Sequence, residues 1–364
     1  PDMTTEQVGA AKRPETLKWF LRYLSGLRQP MGRIYFDFGE PVILEQSPSP
    51  DDKLALQKIA FQVGVETNRV TPITLVSLST MILLGSAPRA MTREELLAEI
   101  DRLAKWARQR GIRLTSDFDA DNRSQMDNLA QILVGSGLIT RYDGGPEIVY
   151  TIAAEQHAVA NYYRNTTVHH FVTKAIAELA LLHVAALTEN AETAFWDEAE
   201  RLRDLFKFEF FYAPTDEFRD QVRDELNRYE PRWAEILSED PGSAQRLLAS
   251  FQPLVAHTTL LSFTEGYRVV ADVLARKPDD AELEEKECVS QSLAYGRQAY
   301  LQRRISSEAS IGKLLFANAF SLMANRKLTR GGDAAQGERR RQMSQEFREL
   351  AHRIDIVRTI ALPR

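Results

Sequence analysis

The scarce reactive side chains of this chain do not fall into any familiar catalytic spacing. Six histidines and a single cysteine are spread over 364 residues. His169 and His170 are adjacent. Successive residues on an α-helix point about 100° apart, so the pair is expected to diverge rather than share a metal ion. No His-Glu-x-x-His helix is present. His257 lies among apolar residues and is expected to be a hydrogen-bonded core histidine. Cys288 has no activating neighbour in sequence and reads as a buried thiol, and one cysteine cannot build a disulfide framework. There is no Gly-x-Ser-x-Gly elbow, no Walker loop and no dinucleotide glycine fingerprint. Arg339-Arg-Arg341 could touch anionic lipid, but a solvated helix face explains it more simply. Neither a cofactor nor a metal is expected.

The elements that would have to position a site read almost entirely as helices. Gly32 to Pro41 is the exception. There Ile34, Phe36 and Phe38 alternate with Arg33, Tyr35 and Asp37. That period of two predicts a strand with one buried face, closed by Gly39-Glu40-Pro41. A helix-like run from Pro14 to Leu27 precedes it. One strand cannot satisfy its own backbone, so a sheet encoded before Pro1 is expected. Pro48, Pro50, Asp51 and Asp52 mark a linker. The expected division is 1–46 as the end of an α/β domain, 47–330 as a helical domain and 331–364 as a helical tail.

Along the helical part, Leu75 to Gly85 is nearly all apolar and too short to span a bilayer, which predicts a buried core helix. Thr92-Arg-Glu-Glu95 is a capping box. Leu138–Tyr142 and Ile148–Ile152, separated by Asp143-Gly-Gly-Pro146, predict a β-hairpin, and the helices before it give a winged-helix pattern. Asp117, Asp119, Asp121 and Asp127 on the would-be reading surface argue against nucleic acid, as does the net charge of -5. Pro214, Pro231 and the Pro241-Gly242 pair separate the later helices.

A family resemblance is carried by an ordered set of segments. Glu6-x-x-Gly9-x-x-Lys12, Glu15-x-Leu17 and Gly32-Arg-Ile-Tyr-Phe-Asp-Phe-Gly-Glu-Pro41 resemble the end of the acyltransferase domain of the PlsB-type glycerol-3-phosphate acyltransferases. Asn68-Arg-Val-Thr-Pro-Ile-Thr74, Tyr162-Tyr-Arg-Asn165 and Leu205-Phe-Lys-Phe-Glu-Phe-Phe211 resemble the helical C-terminal region of the same family. The resemblance implies a mainly α fold: a C-terminal helical domain, preceded by the last helix and strand of an α/β glycerolipid-acyltransferase domain, with a small winged-helix-like β-hairpin. It implies acyl transfer from acyl-CoA or acyl carrier protein to the 1-hydroxyl of sn-glycerol 3-phosphate, in phospholipid biosynthesis, peripherally at the cytoplasmic face of the cell membrane. The family's general base is the His of a His-x-x-x-x-Asp motif. No histidine here has Asp five residues later, so no catalytic residue transfers and this polypeptide is expected to be inactive alone. Lys12 and Arg33 are the candidates for contacting phosphate or CoA, since anions need cations. The competing expectation is a non-enzymatic helical protein-interaction module.

Overall fold

The computed structural model describes residues 35–44, 47, 48, 52, 54–118, 131, 133–187, 190–240 and 242–362. The helix expected over Pro14–Leu27 lies outside them, as do Lys12, Arg33 and most of the acidic stretch near Asp119. The chain is mainly helical. Helices α1 (Ala55–Val70) and α2 (Leu75–Ser86) lead to a two-residue strand β1 (Met91–Thr92) and α3 (Arg93–Gln109). The expected hairpin follows as β2 (Thr140–Tyr142) and β3 (Val149–Thr151). Strand β1 completes a three-stranded antiparallel sheet in the order β1-β3-β2, with Met91 opposite Tyr150 and Arg141 opposite Tyr150 on its other side. Beyond it come α4 (His157–Asn165), α5 (Val172–Val184), α6 (Ala191–Leu205), α7 (Thr215–Asn227), α8 (Trp233–Glu239) and α9 (Ser243–Ser250). The last four are α10 (Ala256–Ala275), α11 (Glu285–Leu301), α12 (Lys313–Asn325) and α13 (Ala334–Ala361).

Helix α10 is the axis of the body. Seventeen of its residues are buried, and α2, α5, α11, α12 and α13 all pack against it. Its sequence is apolar enough to be covered on every side, which is what its position demands. Helix α2 likewise meets expectation as a core helix, with Thr74 and Ser77 forming a capping box at its start. The Thr92–Glu95 box on α3 is also formed. Among the described residues no helix is long and apolar enough to cross a membrane.

A charged network lies inside this core. Glu178 of α5 accepts hydrogen bonds from the backbone N–H groups of Val255 and Ala256, at 2.8 and 2.7 Å, and so caps the N-terminus of α10. Lys174 lies 3.7 Å from both Glu178 and Glu225 and donates to the Phe251 carbonyl at 2.7 Å. Arg110 donates to both carboxylate oxygens of Glu225, and the Trp106 indole joins them at 3.0 Å. Every charge is paired, as burial requires.

Three expectations fail in instructive ways. The segment around Phe36 forms no strand: residues 35–44 carry no ladder, and Phe36 and Phe38 are 81% and 93% exposed. No other strand in the described residues lies alongside to accept its backbone bonds. The alternation survives with its faces reversed. Tyr35 donates to Asp117, Asp37 pairs with Arg113 and the Glu40 N–H donates to Glu66, so the polar face meets the body. Second, His169 and His170 converge. Within the 3-10 turn Val168–Phe171 their rings lie 4.0 Å apart, tilted by 46°. Their Nε2–H groups donate to the carbonyls of Asn68 and Thr71, at 2.8 and 2.9 Å. Third, Arg340 is buried rather than solvated, because it donates to the carbonyls of Leu328, Pro278, Ala281 and Arg330 at the turns before α11 and α13. Its neighbours Arg339 and Arg341 are exposed as expected. Cys288 is buried, and burial pushes its thiol up to about 11. His257 is buried too, but its Nδ1 lacks the expected partner.

Candidate functional site

Helix α4 begins with a fixed histidine. His157 donates from Nε2 to the Ile152 carbonyl at 3.2 Å and accepts from the Ser307 hydroxyl at Nδ1, 2.9 Å away. This orients the helix so that its last turn, Asn161 to Thr166, borders a cavity of about 280 Å³. The opposite wall comes from Glu209, in the turn after α6, and from Ser262 and Phe263 of α10. Ile311, Leu314 and Leu315 form an apolar rim.

Arg164 is the central side chain, and only 3% of it is exposed. Its guanidinium donates to Asn165 Oδ1 and, at 2.6 Å, to the Ser262 hydroxyl. It also lies over the Phe263 ring, 5.1 Å from the centroid. Among the described residues no carboxylate comes within ion-pair distance of it. Burial lowers its pKa to about 9 against the opposing charge of Glu209, which still leaves it cationic at neutral pH. Glu209 is held nearby by its aromatic neighbours. Phe206 and Phe210 are buried on either side of it, and Phe210 meets Phe263 edge-on at 5.0 Å. Burial pushes the Glu209 carboxyl up to about 7, against the pull of Asn318, Tyr267 and Arg164.

The cavity is also where hydrogen-bonding capacity goes unused. Asn161 Oδ1 and Glu209 Oε1, both on the cavity wall, are buried without a partner of good geometry. Buried polar atoms are nearly always satisfied, so two on one wall mark a place built to receive something. A cation with no carboxylate and a carboxyl that titrates near neutrality can receive an anionic or carbonyl oxygen at one end. They can receive a hydroxyl at the other. Among the described residues no group of His, Cys, Asp and Glu could hold a metal ion.

The two segments that meet here are Tyr162-Tyr-Arg-Asn165 and Leu205-Phe-Lys-Phe-Glu-Phe-Phe211. The third helical-region segment, Asn68–Thr74, is held by the paired histidines that follow α4. In the sequence Arg164 and Glu209 stand out only as parts of those segments. A signal was available for Glu209: one acid inside a run of five aromatic residues is an expensive neighbour to keep without use.

The chain belongs to the family described as the glycerol-3-phosphate acyltransferase C-terminal region, which it matches over residues 3–331. It is 36% identical, over 99% of its length, to a Mycobacterium tuberculosis protein named acyltransferase plsB1, of which it spans 59%. The same identity and coverage hold for the acyltransferase plsB1 of Mycobacterium bovis. A protein of Actinobacillus pleuropneumoniae named glycerol-3-phosphate acyltransferase is 24% identical over 61% of this chain and 28% of its own length.

Proposed function

We propose that this chain serves in the acylation of the 1-hydroxyl of glycerol 3-phosphate by an acyl thioester, from acyl-CoA or acyl carrier protein. The observation that carries the reading is the convergence of two family segments on one cavity, at Arg164 and Glu209. In this reading the cavity positions and the chemistry happens elsewhere. No histidine here stands five residues before an Asp, so the general base belongs to a catalytic region beyond these 364 residues. The outward face of Phe36 and Phe38 then has a purpose. It is an apolar surface for that region to cover, with Lys12 and Arg33, earlier in the sequence, to meet phosphate or CoA. The division into 1–46, 47–330 and 331–364 follows from that role. Exposed Ile43, Leu44 and Leu56 support a peripheral seat on the cytoplasmic face of the membrane.

The test is an acylation assay with glycerol 3-phosphate and acyl-CoA. This polypeptide should show no turnover. The enzyme including its catalytic region should turn over, and Arg164→Ala should lower kcat/KM by roughly tenfold to a hundredfold, from the loss of one or two charge-assisted bonds. Turnover by the 364 residues alone, or full activity in Arg164→Ala, sinks the proposal.

A further inference from the structure

A second cavity opens on α10 beyond the first, and its lining is mostly cationic. Arg268, Asp272 and Arg276 recur every fourth residue along one face of α10. Tyr295 comes from α11, Arg304 from the loop after it and Arg348 from α13. These six residues enclose about 290 Å³. Asp272 is the one carboxylate among them, and it is fully engaged. It accepts from the Ser344 hydroxyl at 2.5 Å, Arg348 at 2.8 Å and the Tyr295 hydroxyl at 2.9 Å, with Arg268 at 3.8 Å. Glu265, one turn before Arg268, is also occupied: it accepts from the Ser306 N–H and the Ser310 hydroxyl.

Arg276 and Arg304 are left over. Among the described residues neither has a carboxylate within ion-pair distance. Both donate instead to the Tyr295 hydroxyl oxygen, at 3.0 and 3.5 Å, whose own proton is committed to Asp272. Arg276 also lies 4.2 Å from the centroid of the Tyr295 ring. Asp272 and Tyr295 are buried, so they form a fixed base from which the guanidinium groups are aimed. Four cations facing one carboxylate leave a local excess of positive charge in a recess. A planar guanidinium pairs with tetrahedral oxyanions through two parallel N–H bonds. A cavity of this size holds several waters' worth of volume, at about 30 Å³ each, which suits a phosphoryl group with its first attached atoms.

We propose that the cavity lined by Arg268, Arg276, Arg304 and Arg348 binds a phosphate monoester, through guanidinium groups held in place by Tyr295 and Asp272. A monoester is close to dianionic at neutral pH, which matches the two unpaired cations. The same chemistry is offered by a phosphorylated small molecule and by the headgroup of a phosphatidic-acid-type lipid. The proposal does not depend on the acyltransferase reading, which can fail while this one stands, and the reverse.

The test uses the protein in two arms. Equilibrium dialysis with labelled inorganic phosphate asks for the soluble source. Flotation with phosphatidylcholine vesicles, with and without phosphatidic acid, asks for the lipid one. Saturable phosphate binding that falls at least about tenfold in R276Q/R304Q supports the site and a soluble ligand. Flotation that requires phosphatidic acid and is lost in R276Q/R304Q supports the site and a lipid headgroup. Both substituted side chains are exposed, so the variant should melt like the parent. R246Q removes an exposed arginine paired with Asp240 elsewhere on the surface and should bind like the parent. Binding in neither arm, binding unchanged by R276Q/R304Q, or equal loss in R246Q overturns the proposal.

Discussion

Helices α1 and α2 follow one another in the chain and are treated in opposite ways. Helix α1 buries none of its sixteen residues, although it carries Leu56, Phe61 and Val63. Helix α2 buries every residue but Val76. The difference is one of neighbours. Helix α2 is wedged between α10 and α4, with Gly85 packed directly on Thr258 of α10. Helix α1 meets the body chiefly through Phe61 and Gly64, both against the Phe211 ring, and through the two histidines that grip its C-terminal end. Apolar composition says that a helix wants cover. It does not say whether the cover is already present. The body from Ile73 onward supplies its own, and the stretch from Tyr35 to Val70 keeps a face open.

If that contrast is right, substitutions should weigh very differently in the two regions. The largest loss is expected from Lys174→Met. It leaves Glu178 and Glu225 sharing a core without their ammonium partner, and breaking such a buried network costs about 3–5 kcal/mol. Urea midpoints should show it, while Lys58→Met on α1, whose side chain is 66% exposed and paired only with Asp52, should stay within about 0.5 kcal/mol of the parent. The two helix glycines give the next test. A Cβ at Gly85 would sit 2.3 Å from Thr258 Cγ2 and 3.0 Å from its Cα, so Gly85→Ala must move backbone and should cost about 1–3 kcal/mol. At Gly64 the obstacle is the far end of the half-exposed Phe211 ring, which can swing away. Removing a helical glycine gains roughly 0.5–1 kcal/mol, so Gly64→Ala should be neutral or stabilising. Equal losses at both positions would mean that α1 is as tightly packed as α2.

The sequence made part of this contrast legible. The period of α2, the capping boxes at Thr74 and Thr92 and the hairpin turn at Asp143-Gly-Gly-Pro146 are local, and local rules found the helix, the Thr92 box and the hairpin. Phe36 and Phe38 show where such rules stop. Alternation reported correctly that two faces differ, and it could not report which one the rest of the chain would meet. Arg164, Glu209 and the four arginines of the second cavity show the same limit. Arg164 and Glu209 lie on separate elements of the chain, and Arg348 joins Arg268 only because α13 packs along α10. The spacing of Arg268, Asp272 and Arg276 was visible; the arginines that complete the ring were set by tertiary packing.

A smaller effect should appear with pH, from buried histidines of the body. His257 lies in the first turn of α10, where burial, aided by the nearby Arg358 charge, lowers its pKa to about 3. Burial, with His170 alongside, does the same to His169. The folded state therefore keeps both rings neutral, whereas the unfolded chain takes up protons below about 6.5. Their contribution to stability is present above that value and is lost as pH falls from 6.5 toward 3. His257→Met should flatten the fall in unfolding free energy between pH 6 and 5 by up to about 1.4 kcal/mol per pH unit, the limit for one proton. An unchanged slope would place the acid sensitivity elsewhere.

The smallest effect on stability should come from the most apolar change, Phe36→Ser with Phe38→Ser. Both rings are already in water, so folding has nothing to lose, and the melting temperature should match the parent's. The tether to the body is polar, through Tyr35, Asp37 and the Glu40 amide, and these substitutions leave it alone. What should change is association. An open aromatic face on a segment whose backbone has no ladder invites edge pairing, so light scattering of the parent should rise with concentration and that of the double variant should rise less. A drop in melting temperature would show that Phe36 and Phe38 already pack on the body, and the open region would then close at Tyr35 rather than at Ile73.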